Sequence, residues 1–592
     1  MSYTIEGKDL VFKGFEDGIS DNPYKGINDM RGMNIVSIPG EASVAFAPSN
    51  IALSPFSGTI TSFASSVITP NITVGSITTY TAIQFTTTGT LPTGISLATT
   101  YYVVNNGGGT FKIYDDCYGN TQRTFTDGTG SGTHAFTSID MKAIKYFEKN
   151  YGFCIDENGR VWSPTSSGVF TFMNNTITNG SGNGLVVYKG SGATLYLFVF
   201  RNGQIDYCVV NNVANNGAGI TPAWVSGWDP STGGTTAGAV LNTAVNINNN
   251  HEALVGQDNA VYYTDGSYIG SLRERAGSTF DPTSTSTYTF NQKALAIPLI
   301  DTAQCLEELG VNLLVGGLYN YVYPWNRSDT NFKLPILIAE KGVTRLLTVN
   351  TNTYIFAGKR GRIFVTNGSQ AELYKKVPDY LLGIDPVFTF YGVAYNKNQL
   401  YFGLSARTNA GVISTTYAGL WAIDLDTKAL RVVTLQSTTT ATVTAMWSNP
   451  YTPDPSVALG FGLATAWKTV NGSDTTQTAG IDTATSSPYT SYVSYVDTEI
   501  VPIGQYYNKK TPSNIEFKTS VPLVSGEGIK ISYRTNLSEA YTLIGETTEV
   551  GVLSDAYYPN FENVQWVQFR AQTKSTASSP SYTRLTEIRV KF

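Results

Sequence analysis

The chain has 592 residues, of which 41% are hydrophobic and only 14% charged, with a formal net charge of −5. Ordinary soluble domains carry about 25% charged residues, so solubility here rests on hydroxyls, amides and 37 tyrosines. The 39 basic residues form no run dense enough to grip a phosphate backbone. No stretch reaches the roughly 18 apolar residues of a membrane-spanning helix.

Residues 1–67 read as an N-terminal segment. GFEDGISDNPYKGINDMRGMNIVSIPGEASVAF sets Gly, Asn, Asp and Pro between short apolar pieces, which is the grammar of turns and short strands. MSYTIEGKDLVFKG carries charges where a secretory leader needs an apolar run, so synthesis in a cytoplasm is expected. Residues 68–140 alternate polar and apolar positions with Thr, Tyr, Ile and Val in phase, as in TAIQF and TYYVV. Such alternation marks half-buried antiparallel strands, here an inserted small β-module.

From residue 141 to 472 a hairpin recurs. YGFCIDENGRVWSP (151–164), LYLFVFRNGQIDYCVV (195–210), EALVGQDNAVYYTDG (252–266), LLVGGLYNYVYPW (313–325), YIFAGKRGRIFV (354–365) and VAYNKNQLYFGL (393–404) each place a tight turn between apolar runs. The turn residues Gly159, Gly203, Asn259, Asn320, Gly361 and Asn398 stand 44, 56, 61, 41 and 37 apart. The mean, about 48, is the length of one four-stranded propeller blade. A lone hairpin cannot bury its apolar face, whereas units stacked around an axis can. GLWAIDLDTKALRVV (419–433) reads as a seventh unit. The fold class expected is therefore all-β: a β-propeller of six or seven blades with an inserted β-module and a C-terminal β-sandwich. Gly159, Gly203 and Gly361 should occupy equivalent turns, and Asn158-Gly159, Asn202-Gly203 and Asn367-Gly368 read as type I′ hairpins. QCLEELG (304–310) carries a short helical signal of one or two turns. Residues 473–487 (SDTTQTAGIDTATSS) read as a linker, and 488–592 as the sandwich, with strands at NIEFKT, IKISYRT, VQWVQFRAQTK and RLTEIRVKF.

Reactive constellations are scarce. The two histidines, His134 and His251, fall in different domains, which disfavours a catalytic triad or zinc site built from both. There is no G-x-S-x-G, complete P-loop or dinucleotide fingerprint, and no S-x-D-x-G-x-T-W repeat. Asp156-Glu157-Asn158-Gly159 mimics part of a calcium loop but has Cys154 where the first ligand belongs. Asp156, Asp206, Asp424 and Asp426 read as surface turn or strand residues. The four cysteines, Cys117, Cys154, Cys208 and Cys305, show no C-x-x-C and read as reduced packing groups. No catalytic residue, cofactor or metal is expected. The long polar stretch 211–250 holds Trp224 and Trp228. These are either an exposed platform for a sugar or a partner, or the packing residues of an outer blade strand.

The opening GFEDGISDNPYKGINDMRGMNIVSIPGEASV resembles the N-terminal segment of tailed-phage tail propeller proteins, among them the nozzle, or tail tubular protein B, family of short-tailed phages. Gly18-Ile19, Pro23, Asn34 and Gly40 stand in the family's places. TGTLPTGISLATTYYVVNNGGGTFKIY is similar to a β-module common in phage tail proteins, with Gly89, Leu91, Pro92, Gly94, Tyr101, Tyr102 and Val103 matching. The resemblance implies a non-enzymatic structural component of a virion tail, made in the host cytoplasm. Such proteins form homo-oligomeric rings, commonly hexamers, that wall the tail channel, pass DNA transiently and contact adaptor, fibre or spike proteins. The N-terminal segment, the module and the sandwich would then make the contacts between subunits. A receptor- or glycan-binding tail protein, or a polysaccharide-degrading propeller enzyme, are the alternatives.

Overall fold

The computed structural model describes residues 3–6, 9–13, 15, 18–20, 27, 29–31, 33–34, 41–44, 46–50, 57–72, 81–115, 121–126, 128, 130–139, 141–164, 170–173, 182–201, 203–210, 223–235, 241, 251–380, 386–407, 419–434, 441–448, 463–469, 479–502, 512–559, 564–576 and 583–592. Pro23, Gly40 and Cys117 lie outside them.

Seven four-stranded antiparallel blades form the propeller. From innermost to outermost strand, blade 1 is Ile144–Phe147, Cys154–Asp156, Val161–Pro164 and Phe170–Phe172. Blade 2 is Gly182–Lys189, Leu195–Arg201, Gln204–Val209 and Val225–Trp228. Blade 3 is Ala253–Val255, Ala260–Asp265, Tyr268–Glu274 and Tyr288–Ala296, and blade 4 is Ala303–Leu309, Asn312–Gly317, Tyr321–Trp325 and Ile336–Leu337. Blade 5 is Val343–Val349, Asn352–Ala357, Arg362–Thr366 and Ala371–Lys376, and blade 6 is Val387–Asn396, Gln399–Arg407, Gly419–Asp424 and Leu430–Thr434. Blade 7 takes Ala441–Ser448, Leu463–Thr469 and Ala479–Pro488 from the chain in order, and its outermost strand, Phe46–Asn50, from far upstream. The seven innermost strands touch in sequence and the last meets the first, so the ring is closed. Asp482 opposite Asn50 and Thr483 opposite Ser49 hold the upstream strand in place.

That strand shows why the N-terminal segment has no core of its own. Its pieces complete other sheets. Tyr3–Glu6 and Asp9–Phe12 join the sandwich beside Arg584–Lys591, with Phe12 opposite Ile588. Asp29–Arg31 lies between blade 6 and the sandwich: Arg31 pairs in parallel with Val432, and Asp29–Arg31 run antiparallel to Tyr495–Asp497. Blade 6 thereby continues into the sandwich as one ten-stranded sheet. A single apolar core, including Phe12, Met30, Phe390, Trp421, Val496, Phe569 and Ile588, fills both. Each such side chain contributes about 1.5–3 kcal/mol on burial. The described part of the N-terminal segment is thus taken up in sheets and core within the subunit. Gly18 marks one anchor. It has φ +66°, and a Cβ there would stand 2.6 Å from the backbone of Leu430, whose carbonyl accepts from the Ile19 N–H at 2.6 Å.

The inserted module is a closed six-stranded barrel of Ser57–Ala64, Val67–Pro70, Thr81–Thr87, Thr100–Gly107, Thr110–Tyr114 and His134–Ser138. Its strands therefore begin at Ser57, ahead of the boundary at 68. Closure leaves no free edge, and Phe63, Phe85, Phe111 and Phe136 fill the interior. Of the matching motif, Tyr101, Tyr102 and Val103 are buried. The Tyr102 hydroxyl donates to the Phe172 carbonyl at 2.6 Å, fastening the barrel to blade 1.

Gly159, Gly203 and Gly361 do occupy equivalent turns, between second and third strands, each with positive φ. Asn259 and Asn398 instead turn the first hairpins of blades 3 and 6. The 419–433 unit is the outer half of blade 6 rather than a blade of its own. At 158–159 only the glycine has positive φ. The Gly159 N–H donates to Asp156 O at 2.9 Å and the Asp156 N–H to Arg160 O at 3.0 Å. This is a type I turn with a glycine bulge, not type I′. QCLEELG forms the innermost strand of blade 4, because pairing with Asn312–Gly317 and burial of Cys305, Leu306 and Leu309 override its helical composition. Residues 479–487, read as linker, form a blade strand. Their Thr and Ile have strand propensity, and neighbours on both sides pair with them.

Candidate functional site

Trp224 and Trp228 belong to the outer strand of blade 2 and its approach. Trp228 is 1% exposed, its Nε1 donates to Pro282 O at 2.8 Å, and its ring meets Phe198, Tyr207 and Tyr288. Trp224 is half-buried, donates from Nε1 to Met173 O at 3.0 Å, and packs on a different apolar cluster. The structure does not bring the two indoles together as a platform. Each is tied into packing between neighbouring blades.

Three of the four aspartates read as surface residues are buried, which corrects that reading; Asp426 alone is exposed. Asp156 closes its hairpin: its Oδ1 accepts from the N–H groups of Asn158 and Arg160, and its Oδ2 accepts from Trp162 Nε1 at 3.1 Å. Burial pushes the Asp156 carboxyl up, while these donors oppose the shift. Asp206 pairs with Arg201 Nε at 2.7 Å and accepts the Gly227 N–H at 2.8 Å, holding the Trp228 strand. Asp424 accepts from Asp426 N, Thr427 N and Thr427 Oγ1. The sequence signal for this role was present: in each hairpin the carboxylate stands within a few residues of the turn, where Asp mimics a backbone acceptor.

His134 lies in the barrel, its Nδ1 2.9 Å from Thr87 Oγ1. His251, fully buried, has Nδ1 2.7 Å from Thr264 O and 3.9 Å from Asp265 Oδ1, and burial lowers its pKa. Cys154, Cys208 and Cys305 are free and buried, which pushes their thiols well up. Among the described residues no group of three or more His, Cys, Asp or Glu is placed to hold a metal, and no helix is long and apolar enough to cross a membrane.

Two surfaces stand out on opposite ends of the propeller. At the end where the innermost strands run into their first hairpins, a cavity of about 530 Å³ opens on the axis. Its walls carry Lys145, Lys149, Arg345 and Lys397 against Glu252 and Glu307, with Tyr395 and Trp447 beside them. Lys149 Nζ donates to Glu307 Oε2 at 2.8 Å. Burial pulls Lys149 down, but Glu307 and Glu252 outweigh it and hold its pKa at about 12. Glu252 is buried, and its Oε2 has no hydrogen-bond partner among the described residues. Sequence reading missed this group because its members come from six blades and share no motif.

At the other end, blade 4 presents an apolar strip. Leu299, Ile300, Leu318, Tyr319, Tyr321 and Leu337 are all exposed, Ile300 by 81%. The strip is held by buried Asp301, which accepts from the Tyr319 N–H at 3.0 Å and the Tyr323 hydroxyl at 2.8 Å. Leu318 N donates to Thr302 O, and Tyr321 stands opposite Leu337 across the strand pair. Large contiguous apolar patches are uncommon on the surfaces of monomeric proteins.

No protein-family model and no curated protein matches the chain by sequence. Among solved structures, it is similar to the β-propeller domain of Cps50 (Swd1) from Myceliophteria thermophila, at 11% identity, over 59% of this chain and 98% of that one, with a TM-score of 0.37. It is also similar to a chain of the mitotic checkpoint complex, at 10% identity, over 59% of this chain and 91% of that one, with a TM-score of 0.35. A computationally designed protein, Ika8, aligns at 10% identity, over 58% of this chain and 96% of that one, with a TM-score of 0.31. By its own strand topology the chain is an all-β propeller protein with added β-domains.

Proposed function

We propose that this chain is a structural subunit of a bacteriophage tail, of the nozzle type, which assembles with identical copies into a ring around the channel through which DNA leaves. The resemblance at Gly18-Ile19 and Gly89–Val103 supports this family reading. The observation that carries an assembly role is the blade 4 strip, whose six large apolar side chains are exposed on a rigid loop-and-strand surface. Interface cores are depleted of charge and enriched in Tyr, and this chain is poor in the first and rich in the second. A hexamer, with adaptor and fibre or spike proteins as neighbours, is the arrangement proposed. A non-enzymatic role is supported by Asp156, Asp206 and Asp424, whose carboxylates are engaged in structural hydrogen bonds.

Native mass spectrometry of the full chain tests the assembly. A discrete homo-oligomer that Ile300→Asp and Leu318→Asp dissociate, with circular dichroism unchanged, is expected. A monomer at high micromolar concentration, or an oligomer indifferent to both substitutions, would count against it.

A further inference from the structure

The axial cavity lies at the end of the propeller away from the blade 4 strip, and ring assembly through that strip makes no use of it. Its volume, about 530 Å³, falls in the range of small-molecule sites. Its composition is unlike that of a packing void. Four basic side chains face two acidic ones, so the wall carries an excess of positive charge. The acidic partner of Lys149 is Glu307, at 2.8 Å. Arg345 has its Nη1 on the Thr344 carbonyl at 2.7 Å, and its guanidinium offers further donors in a fixed fork.

The same wall holds an acceptor in need of a donor. The Glu252 carboxyl takes the backbone N–H of Leu306, but its Oε2 is buried beside these cations with no hydrogen-bond partner among the described residues. A buried carboxyl oxygen left without a hydrogen bond is costly, and a hydroxyl brought by a ligand would relieve it. Tyr395 is 39% exposed at the rim. Its ring offers a flat, electron-rich face to polarised C–H groups.

We infer that this cavity binds a small acidic saccharide, one uronic-acid ring in size. The carboxylate takes Arg345 and the excess cationic charge of the wall, a ring hydroxyl donates to Glu252, and the apolar face of the sugar lies against Tyr395. A neutral sugar leaves the cations uncompensated. A bare carboxylate such as acetate reaches neither Glu252 nor the tyrosine.

The test is calorimetric titration of the full chain with D-glucuronate, D-glucose and acetate at low ionic strength. Saturable one-to-one binding of glucuronate is expected, with glucose and acetate at least ten-fold weaker. Arg345→Met should weaken glucuronate at least ten-fold. Lys397→Glu and Tyr395→Ala, both at exposed positions, should weaken it several-fold without unfolding the chain, so the test survives if the Arg345 variant fails to fold. No saturable heat with glucuronate would mean a water-filled channel only and overturn the proposal. Equal binding of acetate would reduce the site to a simple anion pocket, and equal binding of glucose would remove the role of charge. Unchanged affinity in the Lys397 and Tyr395 variants would equally refute it.

Discussion

Arg570 grips Asp497 with both arms of its guanidinium, Nε to Oδ1 at 2.6 Å and Nη2 to Oδ2 at 2.7 Å. The guanidinium carbon also lies 3.8 Å from the centre of the Tyr495 ring and 4.0 Å from that of Tyr541. Asp497 is 2% exposed. The pair joins Trp566–Lys574 to Ser494–Asp497, which carries Asp29–Arg31 and through it blade 6. It therefore sits at the seam between sandwich and propeller.

Removing one partner of such a pair leaves the other charge buried and uncompensated. Arg570→Met should destabilise the chain by about 3–5 kcal/mol in urea unfolding. Arg570→Lys should recover little of this, because lysine has neither the fork nor the plane that stacks on tyrosine. Full recovery by lysine would mean that charge alone matters at the seam.

Asp156→Asn should cost about 1–3 kcal/mol, since an amide has a single acceptor oxygen and its NH2 would face a buried donor left unsatisfied. Asp426→Asn, at an exposed turn position, should stay within about 0.5 kcal/mol. Thermal melts of the two variants side by side check this; equal midpoints would refute the structural role given to the Asp156 carboxylate.

Trp228→Ala should cost about 3–5 kcal/mol. Trp228→Phe should cost less but still be destabilising, because the Pro282 carbonyl loses its donor. Hydrogen exchange should rise in blades 2 and 3 together, since the indole packs between them. A Trp228→Ala protein of unchanged stability would instead indicate a surface role for the ring.

Glu148 is buried in the first hairpin of blade 1, where its Oε2 accepts from Asn150 N at 3.0 Å and Tyr151 N at 2.5 Å. Burial pushes its pKa from 4.5 up to about 7 despite those donors. Below pH 4.5 the group is protonated whether the chain is folded or not, and it imposes no penalty. Between pH 4.5 and 7 the unfolded chain releases the proton while the folded chain retains it, so stability falls as pH rises, by on the order of 3 kcal/mol. Glu148→Gln removes this term and should gain stability on wild type across that window. Parallel pH profiles for the two proteins would contradict it.

The propeller was legible because its hairpins repeat: apolar runs of strand length on either side of Gly159, Gly203 and Gly361 can bury themselves only by stacking. Phase was less legible. Asn259 and Asn398 carry the same turn chemistry as those glycines but serve the first hairpin, and a turn residue does not reveal which pair of strands it joins. The strand Phe46–Asn50 could not be assigned from local pattern, because its partner lies more than 400 residues downstream in Ala479–Pro488. The same holds for Asp29–Arg31, whose three residues carry no strand signal and are fixed by Val432 and Tyr495. The aspartates misled for a related reason. Position beside a turn suggests solvent, yet the carboxylates of Asp156 and Asp206 fold back beneath it to satisfy buried backbone N–H groups. The axial cavity was invisible in one dimension, since Lys149, Glu252, Glu307 and Arg345 meet only when the ring closes.

The most direct test of the central claim is an electron cryomicroscopy reconstruction of virion tails that contain this chain. The account predicts a closed ring of identical copies around the tail axis, with Leu299, Ile300 and Leu318 buried against a neighbouring molecule. Tails in which the copies form no closed ring, or in which isolated copies project from the tail with the blade 4 strip open to solvent, would contradict it.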